Sequence, residues 1–287
     1  MKDSNVIELV QSSGLLRIEN ELKSLAIETV RLWTEVELED NISICDSKLG
    51  GRPDLPKTLN WPKYEDRHLH FIAQLNLSHV TAQGGPKELP EYGPISFFYD
   101  ALEQPWGFDP MDRGRCKVLY FEDTQSFERK EEPEDIKEEG SFSTAKIRFS
   151  RQTSLPSSES LYINRLGLNN EESELYWALY EKVQEHNKST GLTHKLLGHP
   201  DTIQGDMQLE CQLVSNGLYC GDSTGYDNPR RTELESTATS WKLLLQIDSE
   251  EEIGMMWGDV GRLYFWILED DLKTLNFDNV WVVLQCG

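Results

Sequence analysis

Of the residues that could do chemistry, the most pointed arrangement is Gly221-Asp222-Ser223-Thr224-Gly225, which satisfies the G-x-S-x-G pattern of a serine-hydrolase elbow. In that elbow the serine stands on a strand-to-helix turn and is activated by a histidine that follows an acid later in the chain. Here Tyr226, Asp227, Asn228 and Pro229 come next, a loop composition, and the last of the six histidines is His199. With no base downstream, Ser223 reads as part of a polar turn and not as a nucleophile.

His68 and His70 form an H-x-H on a strand pattern, which turns both rings to one face. They would share a metal if His79 or a remote carboxylate joined them. The sequence offers no third ligand beside them, so the expectation is cross-strand or exposed histidines, with no metal and no cofactor. His199, Asp201 and Asp206 make a looser polar group, and it specifies little in a chain with 50 Asp and Glu. The five cysteines, Cys45, Cys116, Cys211, Cys220 and Cys286, are odd in number, widely spaced and free of any C-x-x-C pair. That pattern fits reduced, mostly buried thiols in a cytoplasm.

Glycines offer one more lure. Lys48–Pro56 reads KLGGRPDLP, and Lys195–Ile203 repeats it as KLLGHPDTI. A phosphate loop needs its glycines ahead of a helix N-terminus whose amides face the anion. Pro53, Pro56 and Pro62 follow instead, so the glycines are expected to supply positive φ for a tight turn used twice.

The elements around these turns also recur. Val30, Leu32, Thr34, Val36 and Leu38 alternate as in a half-buried strand. After the first turn come strand patterns at 68–77 (HLHFIAQLNL), 93–100 (GPISFFYD) and 116–123 (CKVLYFED); after the second come 240–249 (SWKLLLQIDS), 261–268 (GRLYFWIL) and 279–286 (NVWVVLQC). Gln74 thereby matches Gln246, Gly93 matches Gly261, and Gly51 with Pro53 matches Gly198 with Pro200. The expected fold is α+β and β-rich: two related β-sheet halves from an internal duplication, with a few helices. We expect an N-terminal helix and strand at 1–44, a first half at 45–150, and a helix plus second half at 151–287, packed as one unit. Asn169 and Asn170 cap a helix whose Leu175, Tyr176, Leu179, Tyr180 and Val183 share a face. The acidic stretch 122–140 reads as a solvated, mobile loop.

On the 68–77 strand, alternation puts Phe71, Ala73, Leu75 and Leu77 on one face and Ile72, Gln74 and Asn76 on the other. LLLQID repeats the division, so two equivalent strands carry a glutamine and a second polar group. Each amide either ties its strand to a nearby turn or floors a cleft between the halves, with Trp61, Trp241 or Trp257 as apolar walls.

The combination KLGGRPDLP, FIAQLNL and GPISFFYD, followed by KLLGHP, LLLQIDS, WGDVGRLYFWI and VVLQC, resembles the YwqG-like family of bacterial proteins, also called the domain of unknown function 1963, over roughly Asp46 to Cys286. The resemblance implies a bacterial, cytoplasmic α+β protein with much sheet, and it brings no activity.

A net charge of -22 repels phosphate backbones, which argues against nucleic acid and anionic membranes. No uninterrupted apolar window approaches the roughly 20 residues that cross a bilayer, and MKDSNVIELVQSSG is unlike an export signal. The function expected is therefore a non-catalytic binding or interaction protein, with a basic protein as partner and an immunity-like role as one form of it. The alternative is a small-molecule binder or enzyme using a cleft between the halves, with Gln74 and Gln246 as orienting groups.

Overall fold

The computed structural model describes residues 3–188 and 191–287. Its main feature is a nearly closed ten-stranded antiparallel sheet. The strands are β1 (Ile27–Val36), β2 (Lys48–Leu49), β3 (His70–Asn76), β4 (Pro94–Tyr99), β5 (Cys116–Tyr120), β6 (Ala145–Ser154), β7 (Lys195–Leu196), β8 (Trp241–Asp248), β9 (Arg262–Leu268) and β10 (Trp281–Gln285). Their order is β10-β9-β8-β7-β1-β6-β2-β3-β4-β5. The fold is α+β and dominated by β-structure.

Read outward from the central β1–β6 ladder, the order is the same in both directions. One arm runs β2-β3-β4-β5 and the other β7-β8-β9-β10. Register repeats as well: Lys48 stands opposite Gln74 and Ser96 follows, while Lys195 stands opposite Gln246 and Tyr264 follows. Each arm carries a β-bulge at the same place, between Phe71 and Ala73 in β3 and between Leu243 and Leu245 in β8.

The bulge corrects the simple alternation expected for 68–77. An extra residue re-aims the chain, so Phe71 packs outward with Trp61, Leu69 and Phe98, while Ile72, Ala73 and Leu75 enter the main core. The strand also ends at Asn76, whose side chain accepts from the Ser78 amide and starts a short helix at Leu77–Ala82.

The main core lies between the two arms, which curl toward each other. Phe97 of β4 meets Phe265 of β9 with ring centroids 5.3 Å apart, and Tyr99 meets Trp257 edge-on at 5.9 Å. Aromatic side chains of this size need such a broad apolar surface. Outside the sheet, α1 (Ser4–Ser12), α2 (Glu19–Leu25) and α3 (Asn170–His186) form one cluster through Val6, Val10, Leu22, Tyr176, Leu179 and Val183. The expected cap of α3 is a full capping box, in which Asn169 and Glu172 each accept the other's backbone N–H. A fourth helix, α4 (Gln208–Ser215), covers Trp241, Leu243 and Trp266.

The acidic stretch is more ordered in its contacts than a solvated loop. Phe127–Arg129 pairs with Asp54–Pro56, and Glu134–Glu139 is a short helix. Two ion pairs anchor it: Arg129 Nε to Asp54 at 2.9 Å, and Asp135 to His68 Nδ1 at 2.8 Å.

Candidate functional site

Gln74 and Gln246 are both fully buried, and each belongs to a polar cluster repeated in the two arms. In the first arm Gln74 Oε1 accepts from the Asp54 amide at 3.0 Å, while its Nε2 donates to the Asp46 carbonyl and to Asp54 Oδ2. In the second, Gln246 Oε1 accepts from the Asp201 amide at 2.9 Å, while its Nε2 donates to the Thr193 carbonyl and to Asp201 Oδ2. A buried lysine completes each set. Lys48 donates to the Arg52 carbonyl beside Asp54, and Lys195 donates to the His199 carbonyl and pairs with Asp201 at 2.6 Å.

Between strand and cluster lies the repeated turn. Gly50 and Gly51 have φ of 61° and 69°; Leu197 and Gly198 hold the same left-handed region at 56° and 85°. The glutamine is thus the strut that fixes the turn to the strand beside it. Burial alone would raise the Asp201 pKa, but the charge and hydrogen bond of Lys195, with the Gln246 amide, hold it below the usual carboxylate range.

The five residues weighed for a shared cleft are not brought together. Trp61 packs with Leu55 and Phe98 on the first arm, donating its Nε1 to the Leu69 carbonyl. Trp257 sits in the main core. Trp241 lines a cavity of about 210 Å³ with His199, Tyr162, Lys242 and Trp266, on the outer face of the second arm.

A different cleft lies where loops of the two halves meet. The segment after β4 and the one before β9 are stitched by Gln104, which donates Nε2 to the Met256 carbonyl at 3.1 Å and accepts from the Gly258 amide at 2.9 Å. The Leu284 amide also donates to the Trp106 carbonyl. Against this seam is a cavity of about 330 Å³ lined by His70, Leu102, Gln104, Glu139, Phe142 and Met256 among others. His70 is buried, its Nδ1 has no hydrogen-bond partner, and its Nε2 lies 3.6 Å from Glu139 Oε2. Burial lowers the imidazole pKa and raises that of the Glu139 carboxyl, so each moves toward its neutral form.

Around this cleft four large apolar side chains face solvent: Leu102 at 48% exposure, Trp106 at 38%, Met256 at 40% and Val260 at 65%. Glu103, Glu138, Glu251, Glu252 and Asp259, on the same segments, are exposed as well. An apolar surface rimmed by one sign of charge is the form taken by docking sites for oppositely charged partners.

The remaining candidates have local roles. His68 is held by Asp135, apart from His70 in both partner and burial; among the described residues no group of three or more His, Cys, Asp or Glu could hold a metal. Ser223 is exposed at the start of the short helical turn Ser223–Tyr226, where the Asp222 side chain accepts from the Thr224 amide. His199 donates to or accepts at the Leu25 carbonyl through Nε2 at 2.8 Å, and burial lowers its pKa to about 4. Burial pushes the thiols of Cys45, Cys116 and Cys220 up to about 12, and that of Cys211 well above its ordinary value, which suits inert core thiols. Sequence reasoning missed Gln104, Glu139 and the seam, since nothing local in ALEQPWG or KEEG marks two distant loops as neighbours.

A model of the family described as Domain of unknown function (DUF1963) matches residues 47–286, and the chain belongs to that family. No curated protein matches it.

Proposed function

We propose that this member of the DUF1963 family is a non-catalytic binding protein that docks a basic segment of a partner protein on the seam between its two halves. The observation that carries this reading is the set Leu102, Trp106, Met256 and Val260, apolar and exposed on segments that also carry Glu103, Glu251, Glu252 and Asp259. The chain's charge of -22 adds long-range attraction for a basic partner. The two arms, alike in strand order, bulge and glutamine cluster, are read as the products of an internal duplication, and the seam as the surface that duplication created. The resemblance to YwqG-like proteins sets this reading in a bacterial cytoplasm, where shielding a basic toxin, an immunity-like role, is one concrete form of it.

The test uses Leu102→Glu and Met256→Glu, exposed positions at which a charge costs little stability. Proteins captured by the native chain are compared with those captured by the variants, at low and at high salt. The reading expects a basic protein that both variants lose and that salt releases; an identical capture pattern for all three chains overturns it.

A second reading rests on His70. A buried imidazole nitrogen without a partner, beside Glu139 at the floor of the cleft, suits a small molecule bearing one hydrogen-bonding group. His70→Phe separates the two: it abolishes small-molecule binding and leaves docking of a protein on the apolar rim in place.

A further inference from the structure

Arg31 of β1 is 1% exposed, and none of its three guanidinium nitrogens has a hydrogen-bond partner. Its one recorded contact is with the ring of Trp33, 4.9 Å from the guanidinium carbon to the centroid. Such a group is costly to bury, because its five N–H donors and its charge lose water and gain nothing equivalent.

The surroundings sharpen the problem. Arg31 pairs across the sheet with Lys195, and Lys195 with Gln246, so all three share one face. The charges acting on Arg31 are those of Asp201, Asp248 and Arg262, and Arg31 in turn acts on Lys195. Both carboxylates are already engaged. Asp201 takes Lys195, Gln184 and Gln246, while Asp248 takes Arg262 Nε at 3.1 Å and the Thr193 amide and hydroxyl. Three buried or half-buried cations thus face two carboxylates, and the cation left without a partner is the one most completely buried. The matching position of the first arm, opposite Lys48, is Lys146, which is exposed and has water as its partner. Only the second arm therefore needs another source of negative charge.

We propose that Arg31 is one wall of a buried site for a small anion, a carboxylate or an inorganic oxyanion, seated on the sheet face beside Lys195. The planar guanidinium matches either by a bidentate pair of N–H···O bonds. The site is distinct from the seam, and its occupancy does not depend on any partner protein.

The test is thermal unfolding of the full chain in acetate, phosphate or chloride at equal ionic strength and pH. A saturable rise in Tm of a few degrees is expected with the anion that fits, as follows for a ligand at about 100 times its Kd. Acetate and phosphate acting differently identifies the class; a rise with chloride alone, or with none of the three, overturns the proposal. In Arg31→Lys, which keeps the charge and loses the fork, the concentration giving half the rise should increase at least 10-fold, and an unchanged value counts against Arg31. Should that variant fail to fold, the crystal structure of the native protein grown in the stabilising anion decides: density for the anion at the guanidinium supports the site, and ordered water or a main-chain carbonyl there overturns it.

Discussion

Replacing Gln74 by Ala removes a strut and nothing else, which makes it a clean measure of what the repeated cluster contributes. Three hydrogen bonds disappear, each near 3.0 Å. The Asp54 carboxylate keeps Arg129 and the Cys45 amide, so its loss is partial. The Asp54 amide has no other recorded partner, and a buried donor left unsatisfied costs about 1–3 kcal/mol. Loss of two buried methylene groups adds roughly 1.6 kcal/mol at 0.8 kcal/mol each. The expected destabilisation is therefore about 3–5 kcal/mol, a fall in Tm of roughly 6–10 °C at about 2 °C per kcal/mol for a chain of this size. Gln246→Ala should cost the same within about 1 kcal/mol, and the double variant should be additive, because the two clusters share no partner. Urea denaturation and thermal melts give these values. A Tm within 2 °C of the native protein for Gln74→Ala would refute the strut, and strong non-additivity would refute the independence of the two clusters.

Acid should weaken the fold through His199. Its native pKa of about 4 lies below the ordinary 6.5, so between those values the unfolded chain binds a proton the native one refuses, and stability falls as pH falls, by at most about 1.4 kcal/mol per unit. The buried Asp206 carboxyl, raised to about 6, works in the opposite sense over an overlapping range, so the effect is read as the difference between the native chain and His199→Gln. That difference should shift by roughly 2–3 kcal/mol in favour of the variant between pH 7.5 and 4.5, and a constant difference refutes the assignment. Ser223→Ala should change stability by under about 0.5 kcal/mol, since the side chain is exposed, and a fluorophosphonate should leave Ser223 unlabelled. Thiol alkylation at pH 8 followed by mass mapping should spare Cys45, Cys116, Cys211 and Cys220 in the native chain and modify them in denaturant; rapid native alkylation of any of the four contradicts its buried, protonated state.

How much of this was legible in the sequence depended on whether the signal was local. Strand periodicity, the paired K-L-x-G turns and the Asn169 cap are all encoded by neighbours in the chain, and the structure has each of them where the residues imply. The bulges at Phe71 and Leu243 were not legible, because alternation alone assumes one residue per pleat. Arg31 was hidden for another reason. A charged residue between Val30 and Leu32 reads as solvent-facing, and only the helices packed outside β1 and β7 bury that face. The seam was hidden most deeply: Gln104 and Met256 come from opposite halves, and their contact exists only because the sheet curls. Conversely, the three tryptophans chosen as cleft walls were chosen for size, and size alone places a ring in a core as readily as in a cleft.

The docking claim is tested most directly by hydrogen–deuterium exchange on the complex with the captured basic partner. The account expects slowed exchange in residues 101–107 and 254–261, the two loops stitched by Gln104, with residues 208–215 of α4 unchanged. Protection confined to α4 or to the cavity beside Trp241, with both seam loops exchanging at their free rates, would contradict it.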